Sequence, residues 1–154
     1  MSLKIYNSYS RQKEEFKSIT PGHVGMYVCG PTVYNHVHLG NVRTFLTFDI
    51  VARYFRYLGF KVRYVRNITD VGHMSDDFLE EDKMLAQARQ EDRDPFSIAK
   101  KYEEGFHQDL RELNIRPASA YPHASESIAL MQDLIRALLV SKHAYAGSDG
   151  SIYF

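Results

Sequence analysis

The sequence predicts an α/β fold built on parallel strands, and three observations predict it. Residues 24–28 are a short apolar run with the length and composition of a central strand, and Gly30-Pro31 closes it. From Gly40 to Leu58, the apolar residues Val42, Phe45, Leu46, Ile50, Val51, Tyr54, Phe55 and Leu58 recur mostly every three or four positions. That spacing is the stripe of an amphipathic helix, with Gly59 as its C-terminal stop. Residues 61–68 supply a second strand: Lys61-Val62-Arg63-Tyr64 alternates, the alternation slips at Val65-Arg66, and the β-formers Val62, Tyr64, Val65 and Ile68 carry the rest. Strand, helix and strand within about forty residues make a βαβ unit with a right-handed crossover. Ligands of such sheets bind beyond the carboxyl ends of the strands. The Cys29 turn and the Thr69-Asp70 turn both lie there, so the two are expected to meet at one edge of the sheet.

The remaining elements follow from local signals. Residues 3–6 suggest a short strand, 11–17 a charged connector, and Pro21-Gly22 a turn. Thr69-Asp70-Val71-Gly72 closes the second strand. The acidic run 76–82 suggests a solvated loop or helix start, and 83–90 a helix. Residues 95–113 carry Phe96, Ala99, Tyr102, Phe106, Leu110 and Leu113 at helical spacing, with Asp94 as the cap. Arg116-Pro117 and Tyr121-Pro122 are breaks. Ser125 is expected to cap a last helix whose stripe is Ile128, Met131, Leu134, Ile135 and Leu138. Ser148-Asp149-Gly150 signals a turn, and 151–154 begins a strand with no following partner, which suggests an incomplete domain.

Composition sets the bounds. The chain has 154 residues, 44% of them apolar, which fits one domain with a hydrophobic core and argues against disorder. Nineteen basic and nineteen acidic residues give a formal net charge of zero, so no overall electrostatic footprint for nonspecific nucleic-acid binding exists. A single cysteine excludes an internal disulfide framework, suits a reducing cytoplasm, and cannot build a zinc site alone. Residues 1–11 lack the apolar centre of a signal peptide, and no stretch approaches the ~20 apolar residues that span a membrane.

The chemistry concentrates in Cys29-Gly30-Pro31-Thr32-Val33-Tyr34-Asn35-His36-Val37-His38-Leu39-Gly40-Asn41. His38-Leu39-Gly40-Asn41 opens the helix. An imidazole donor and backbone N–H groups at a helix N-terminus suit the charge that builds on ATP phosphates during activation of a carboxylate. Gly40 permits close approach because no Cβ intrudes. On its own the same pattern also describes a loop histidine followed by Asn41 as an ordinary N-cap. Cys29 sits at a strand exit, where a thiol or metal thiolate is placed to act; a lone cysteine is also commonly a core residue. His36 and His38 form an H-x-H pair that could join Cys29 at a metal, against a ligand-wrapping loop at 31–35. Arg43 and Arg66 could reach phosphates, or be solvated or ion-paired. Thr69 and Asp70 could hold an ammonium, or be turn residues.

Three motifs in this order resemble the cysteinyl-tRNA synthetase family: Met26-Tyr27-Val28-Cys29-Gly30-Pro31-Thr32-Val33-Tyr34, the HIGH-like His38-Leu39-Gly40-Asn41, and Tyr64-Val65-Arg66-Asn67-Ile68-Thr69-Asp70. The resemblance implies a class I synthetase catalytic domain of Rossmann type, a parallel sheet with flanking helices, incomplete here. It divides the chain into the first Rossmann half, 1–121, and the start of the insertion between the halves, 122–154. It implies cysteinyl-adenylate formation from cysteine and ATP, with magnesium, and transfer to tRNA(Cys). Cys29 matches the first zinc ligand, the others lying outside the chain. Gly30 and Thr69, with Cys29, match the cysteine-binding positions. His38, Gly40 and Asn41 match the ATP signature, with His38 and Asn41 as its catalytic members. Asn41 departs from the signature's last histidine: it can donate a hydrogen bond but cannot become cationic. The zinc ligands beyond Cys29, the KMSKS loop and the helical tRNA-binding region have no counterpart here, and the isolated chain is expected to be inactive and to retain zinc weakly or not at all. Two other readings share the motifs: a ligase joining cysteine to a sugar amine, and a non-catalytic nucleotide-binding module.

Overall fold

The computed structural model describes residues 3–71 and 83–154. The acidic run 76–82 lies outside them. The chain begins with a hairpin of β1 (Lys4–Asn7) and β2 (Gln12–Glu15), paired antiparallel. The connector expected at 11–17 is therefore largely a strand. β2 is exposed along its whole length, so it has no alternating pattern to read. Its register comes from the turn, where Asn7 Oδ1 accepts from Tyr9 N–H and Arg11 takes a φ of 56°.

β3 (His23–Val28), α1 (Leu39–Tyr57) and β4 (Lys61–Arg66) form the expected βαβ unit, with β3 and β4 parallel and in register from His23–Lys61 to Val28–Arg66. Gly59 ends α1 with a φ of 88°, a conformation that costs a residue without a Cβ little. The side-chain alternation of β4 does not slip. Tyr64, Arg66 and Ile68 all point into the interior, and the inward position at 66 is filled by an arginine.

Arg66 is buried, and among the described residues it has no ion pair. It is 1% exposed, its guanidinium lies 4.5 Å from the Phe45 ring centre and 5.2 Å from that of Tyr64, and it donates to the Tyr64 hydroxyl. The aromatic faces supply a cation–π environment in place of a counter-ion. α1 buries Phe45, Asp49, Ala52 and Phe55, whereas Leu46, Ile50, Tyr54 and Leu58 of the expected stripe are exposed. Asp49 turns a polar position inward because Arg53 pairs with it at 2.6 Å and Arg116 N–H donates to it.

A third segment lies on the free side of β4. Residues 119–124 run parallel to it, with Arg66 N–H donating to Ala120 O, Ile68 N–H to Pro122 O, and Ala124 N–H to Ile68 O. The Tyr121-Pro122 break is thus a strand-like rung interrupted by proline. α2 (Lys83–Glu91) and α3 (Pro95–Glu112) cover this face. Asp94 caps α3 through Phe96 and Ser97 N–H, as expected. Its buried stripe is Ile98, Ala99, Tyr102, Phe106 and Leu110, and Phe96, in the first turn, faces solvent. These residues meet Val33, Phe45, Ile68, Met84, Ala88 and Ile115 in the main core.

Ser125 does not cap the last helix. It opens a single 3-10 turn, Ser125–Ser127, and both its N–H and its hydroxyl donate to Asp70. α4 (Ile128–Val140) follows with no buried residue among those described. β6 (Ile152–Tyr153) does have a partner: it pairs antiparallel with β5 (Tyr145–Ala146) across the Ser148-Asp149-Gly150 turn. Among the described residues no helix is long and apolar enough to cross a membrane.

Candidate active site

The two strand exits meet as the βαβ pattern requires. Val33 N–H donates to Thr69 O at 3.1 Å, and Thr69 N–H donates to Pro31 O at 3.0 Å. Val28 is paired with Arg66, and the next rung pairs Thr32 with Thr69. Four steps on one strand therefore match three on the other. The surplus residue falls at Cys29, Gly30 and Pro31, a bulge of the kind that re-aims side chains beside active sites.

Gly30 is required there by close approach. A Cβ on it would stand 1.7 Å from the Asn67 carbonyl oxygen. Its N–H donates to Asn67 Oδ1 at 2.9 Å, and Asn67 Nδ2 reaches Thr69 Oγ1 at 3.1 Å. Cys29 is exposed just past the end of β3, its thiol free, with Sγ 3.7 Å from Gly30 O. Cys29, Gly30 and Thr69 thus share one corner. Asp70 is not free to receive an ammonium alone, because its carboxylate holds Ser125.

The other half of the site is a helix cap. His38, not Asn41, is the N-cap of α1: its Nδ1 accepts from Gly40 N–H at 3.0 Å, and Asn41 Oδ1 accepts from His38 N–H at 3.2 Å. This is the reciprocal arrangement of a capping box. A backbone N–H can only donate, so Nδ1 is the unprotonated nitrogen and the neutral ring carries its proton on Nε2. The exposed imidazole therefore presents an N–H donor outward. The space beside Gly40 is taken by the His38 ring: a Cβ would meet Cε1 at 2.7 Å. Asn41 keeps its amide NH₂ as the group able to face a ligand. The first turn of α1 carries no acidic side chain to offset the positive end of the helix dipole, and Arg43 beside it is exposed.

A cleft of about 280 Å³ runs from Gly30 to the His38 cap, lined by Gly30 to Thr32, Tyr34 to His38, and Asn41; Cys29, Gly40 and Thr69 are not in its lining. His36 is turned toward α3, edge-on to Tyr102 with ring centres 5.0 Å apart. Among the described residues, no three of His, Cys, Asp or Glu stand together as a metal site, so Cys29, His36 and His38 form none. The zinc that the family resemblance implies finds one donor here, Cys29, and the described residues do not make a complete site for it.

Sequence reasoning passed over three contributors. Asn67 was visible only as part of a motif, although an asparagine among β-formers at a strand exit marks a polar task. Glu103 and His123 had no local signal: His123 Nε2 lies 3.0 Å from both Glu103 oxygens, and its other nitrogen is 3.6 Å from Glu126. The hydrogen bond to Glu103 holds the His123 imidazole above its ordinary range, against the smaller opposing effect of burial. This pair ties residues 119–124 to α3 directly behind the β4 exit.

The sequence pattern of the family described as tRNA synthetases class I (C) catalytic domain matches residues 15–154. The cysteine–tRNA ligase of Phocaeicola vulgatus is 50% identical over 99% of the chain and 31% of its own length. That of Chlorobaculum tepidum is 47% identical over 99% of the chain and 32% of its own, and that of Lactobacillus delbrueckii subsp. bulgaricus 43% over 99% and 30%. The chain thus spans about a third of the length of these relatives. A mixed α/β fold with a small parallel sheet, a cleft at its strand exits and this match along nearly the whole chain lead to one assignment: the chain belongs to the cysteinyl-tRNA synthetase family and carries part of its class I catalytic domain.

Proposed function

We propose that this chain supplies the cysteine corner and the ATP-binding helix terminus of a ligase that forms cysteinyl-adenylate from cysteine and magnesium-ATP and transfers cysteine to tRNA(Cys). The observation that carries the reading is the single cleft on which Gly30 and the His38 cap both open. In this reading the sheet is the first half of a Rossmann domain over residues 1–121, and 122–154 begins the insertion between the halves.

The attacking group is the substrate's own carboxylate, so the protein's task is positioning and charge stabilisation. Gly30 and Thr69 border the amino acid, the hydroxyl of Thr69 meeting its polar groups. His38 Nε2–H donates to phosphate oxygens, and the uncompensated N-terminus of α1 favours the same anion. Gly40 keeps the His38 ring seated against the helix, while Asn41 fixes the cap and offers its NH₂. Cys29 would be one thiolate ligand of a zinc completed by residues in the portion of the relatives that this chain does not span. A soft zinc site distinguishes a thiol from a hydroxyl.

The test is ATP–pyrophosphate exchange by a protein of the relatives' full length carrying these 154 residues. Cysteine-dependent exchange followed by charging of tRNA(Cys) is expected, and the 154-residue chain alone should give none. Exchange driven by another amino acid, or cysteine transfer to a sugar amine in place of tRNA, would overturn the proposal.

A further inference from the structure

We infer that Asn67 is a positioning residue that sets both the spacing and the hydrogen-bond polarity of the cysteine corner. The inference rests on the reading that Gly30 and Thr69 border the amino acid. The bulge between the Val28–Arg66 and Thr32–Thr69 rungs takes Gly30 N–H out of the backbone ladder. A partly buried N–H without a partner is costly. Asn67 Oδ1 replaces the missing backbone acceptor at 2.9 Å.

That bond decides the rest. Because Gly30 N–H can only donate, the amide oxygen must face it and the NH₂ must face Thr69. Nδ2 therefore donates to Thr69 Oγ1 at 3.1 Å. One lone pair of Oγ1 is taken, so the Thr69 hydroxyl keeps its own hydrogen as a donor for the ligand. The Asn67 carbonyl meanwhile packs so tightly on Gly30 that a Cβ would stand 1.7 Å away. One residue thus touches both walls of the corner, by backbone on one side and by side chain on both.

The chemistry separates Asn67 from its near relatives. Aspartate keeps an acceptor for Gly30 N–H but offers Thr69 only acceptors. The Thr69 hydroxyl must then donate to residue 67 and is withdrawn from the ligand. Alanine leaves Gly30 N–H unpaired.

The experiment compares N67D, T69V and the double variant in the full-length ligase carrying this segment, by ATP–pyrophosphate exchange with KM measured separately for cysteine and ATP. N67D should raise KM for cysteine about tenfold, the scale of one lost hydrogen bond, with KM for ATP within about twofold. It should add nothing in the T69V background, because it acts through that hydroxyl. T69V alone tests the underlying reading: if it leaves KM for cysteine unchanged, Thr69 does not border the amino acid. If T69V raises that KM but N67D does not, or if the two effects add, the role of Asn67 is overturned while the corner stands. Equal rises for cysteine and ATP with a fall in melting temperature would reduce Asn67 to a structural residue and also overturn it.

Discussion

The His38 end of the cleft is made by residues two and three positions apart, whereas the Gly30 end joins residues 37 apart in sequence. Both ends are small hydrogen-bond networks around a glycine. In the first, the glycine accommodates the ring of its own cap; in the second, it accommodates the backbone of another strand. A local network can be altered at the cost of one helix terminus. A network that closes a parallel rung cannot be altered without moving the sheet. On the proposed reading, phosphate binding would fall on a replaceable part of the fold and recognition of the amino acid on an irreplaceable one.

Substitutions at the two glycine-centred networks measure this contrast. Gly30→Ala should have the largest effect: its Cβ would force β3 and β4 apart at the exit, with a loss of about 3 kcal/mol in urea unfolding, in the range of overpacked sites. A loss under 1 kcal/mol would show that the bulge yields and that the two ends do not differ in kind. His38→Ala should destabilise by about 1 kcal/mol, the worth of an N-cap, yet lower exchange activity of the full-length ligase by a factor of about 100. Equal proportions of lost stability and lost activity would remove the distinction between cap and donor. Asn41→Ala removes the reciprocal bond of the capping box and for that loss should cost about 0.5 kcal/mol in the same unfolding assay.

The smallest effect is expected behind the Gly30 end, at His123. Its imidazole is held above the ordinary value of 6.5 by Glu103, so the pair stabilises the fold fully below that pH and the contribution is lost as pH rises through the higher folded value. Glu126 and Asp70 add to the same direction, and His107 shares Glu103 at 3.6 Å. Melting temperature should fall slightly from pH 6 to pH 9, and Glu103→Gln should flatten that slope. Because His123 is partly solvated, the change should stay within a few degrees; an unchanged slope in the variant would assign the pH dependence elsewhere.

The same division governs what could be read in the sequence. Signals written within one turn of chain were legible, among them the Asp94 cap and the Gly59 stop, and so was the βαβ period, which brings the strand exits together. Gly30 and Thr69 were legible as residues of the two strand exits, and His38 as a residue of the helix start. What depended on distant partners was not. Ser125 has the composition of a cap but is held by Asp70, 55 residues away. Nothing in the apolar stripe of α1 marks Asp49 as buried, and one of the groups that hold it, the Arg116 N–H, is 67 residues away. Arg66 reads as a surface arginine until Phe45 and Tyr64 enclose it. Asn41 reads equally as a ligand residue and as a helix cap, and its partnership with the His38 backbone is not told from sequence, because residues at this spacing serve a helix end and a phosphate equally well.

The ladder between β4 and residues 119–124 has a consequence for how the molecule opens. Arg66 and Ile68 amides are held by carbonyls of Ala120 and Pro122, more than fifty residues onward. Their exchange with solvent deuterium therefore cannot report on the βαβ unit alone. It reports on the docking of α2, α3 and the segment behind them as one cooperative piece. The amides of β4 that face β3 close a loop of about forty residues, a shorter search than the one that seats residues 119–124. The strand that leads to Asn67 and Thr69 is thus expected to be finished last on its far side, and the Gly30–Asn67–Thr69 network to become rigid only when that distant segment is in place.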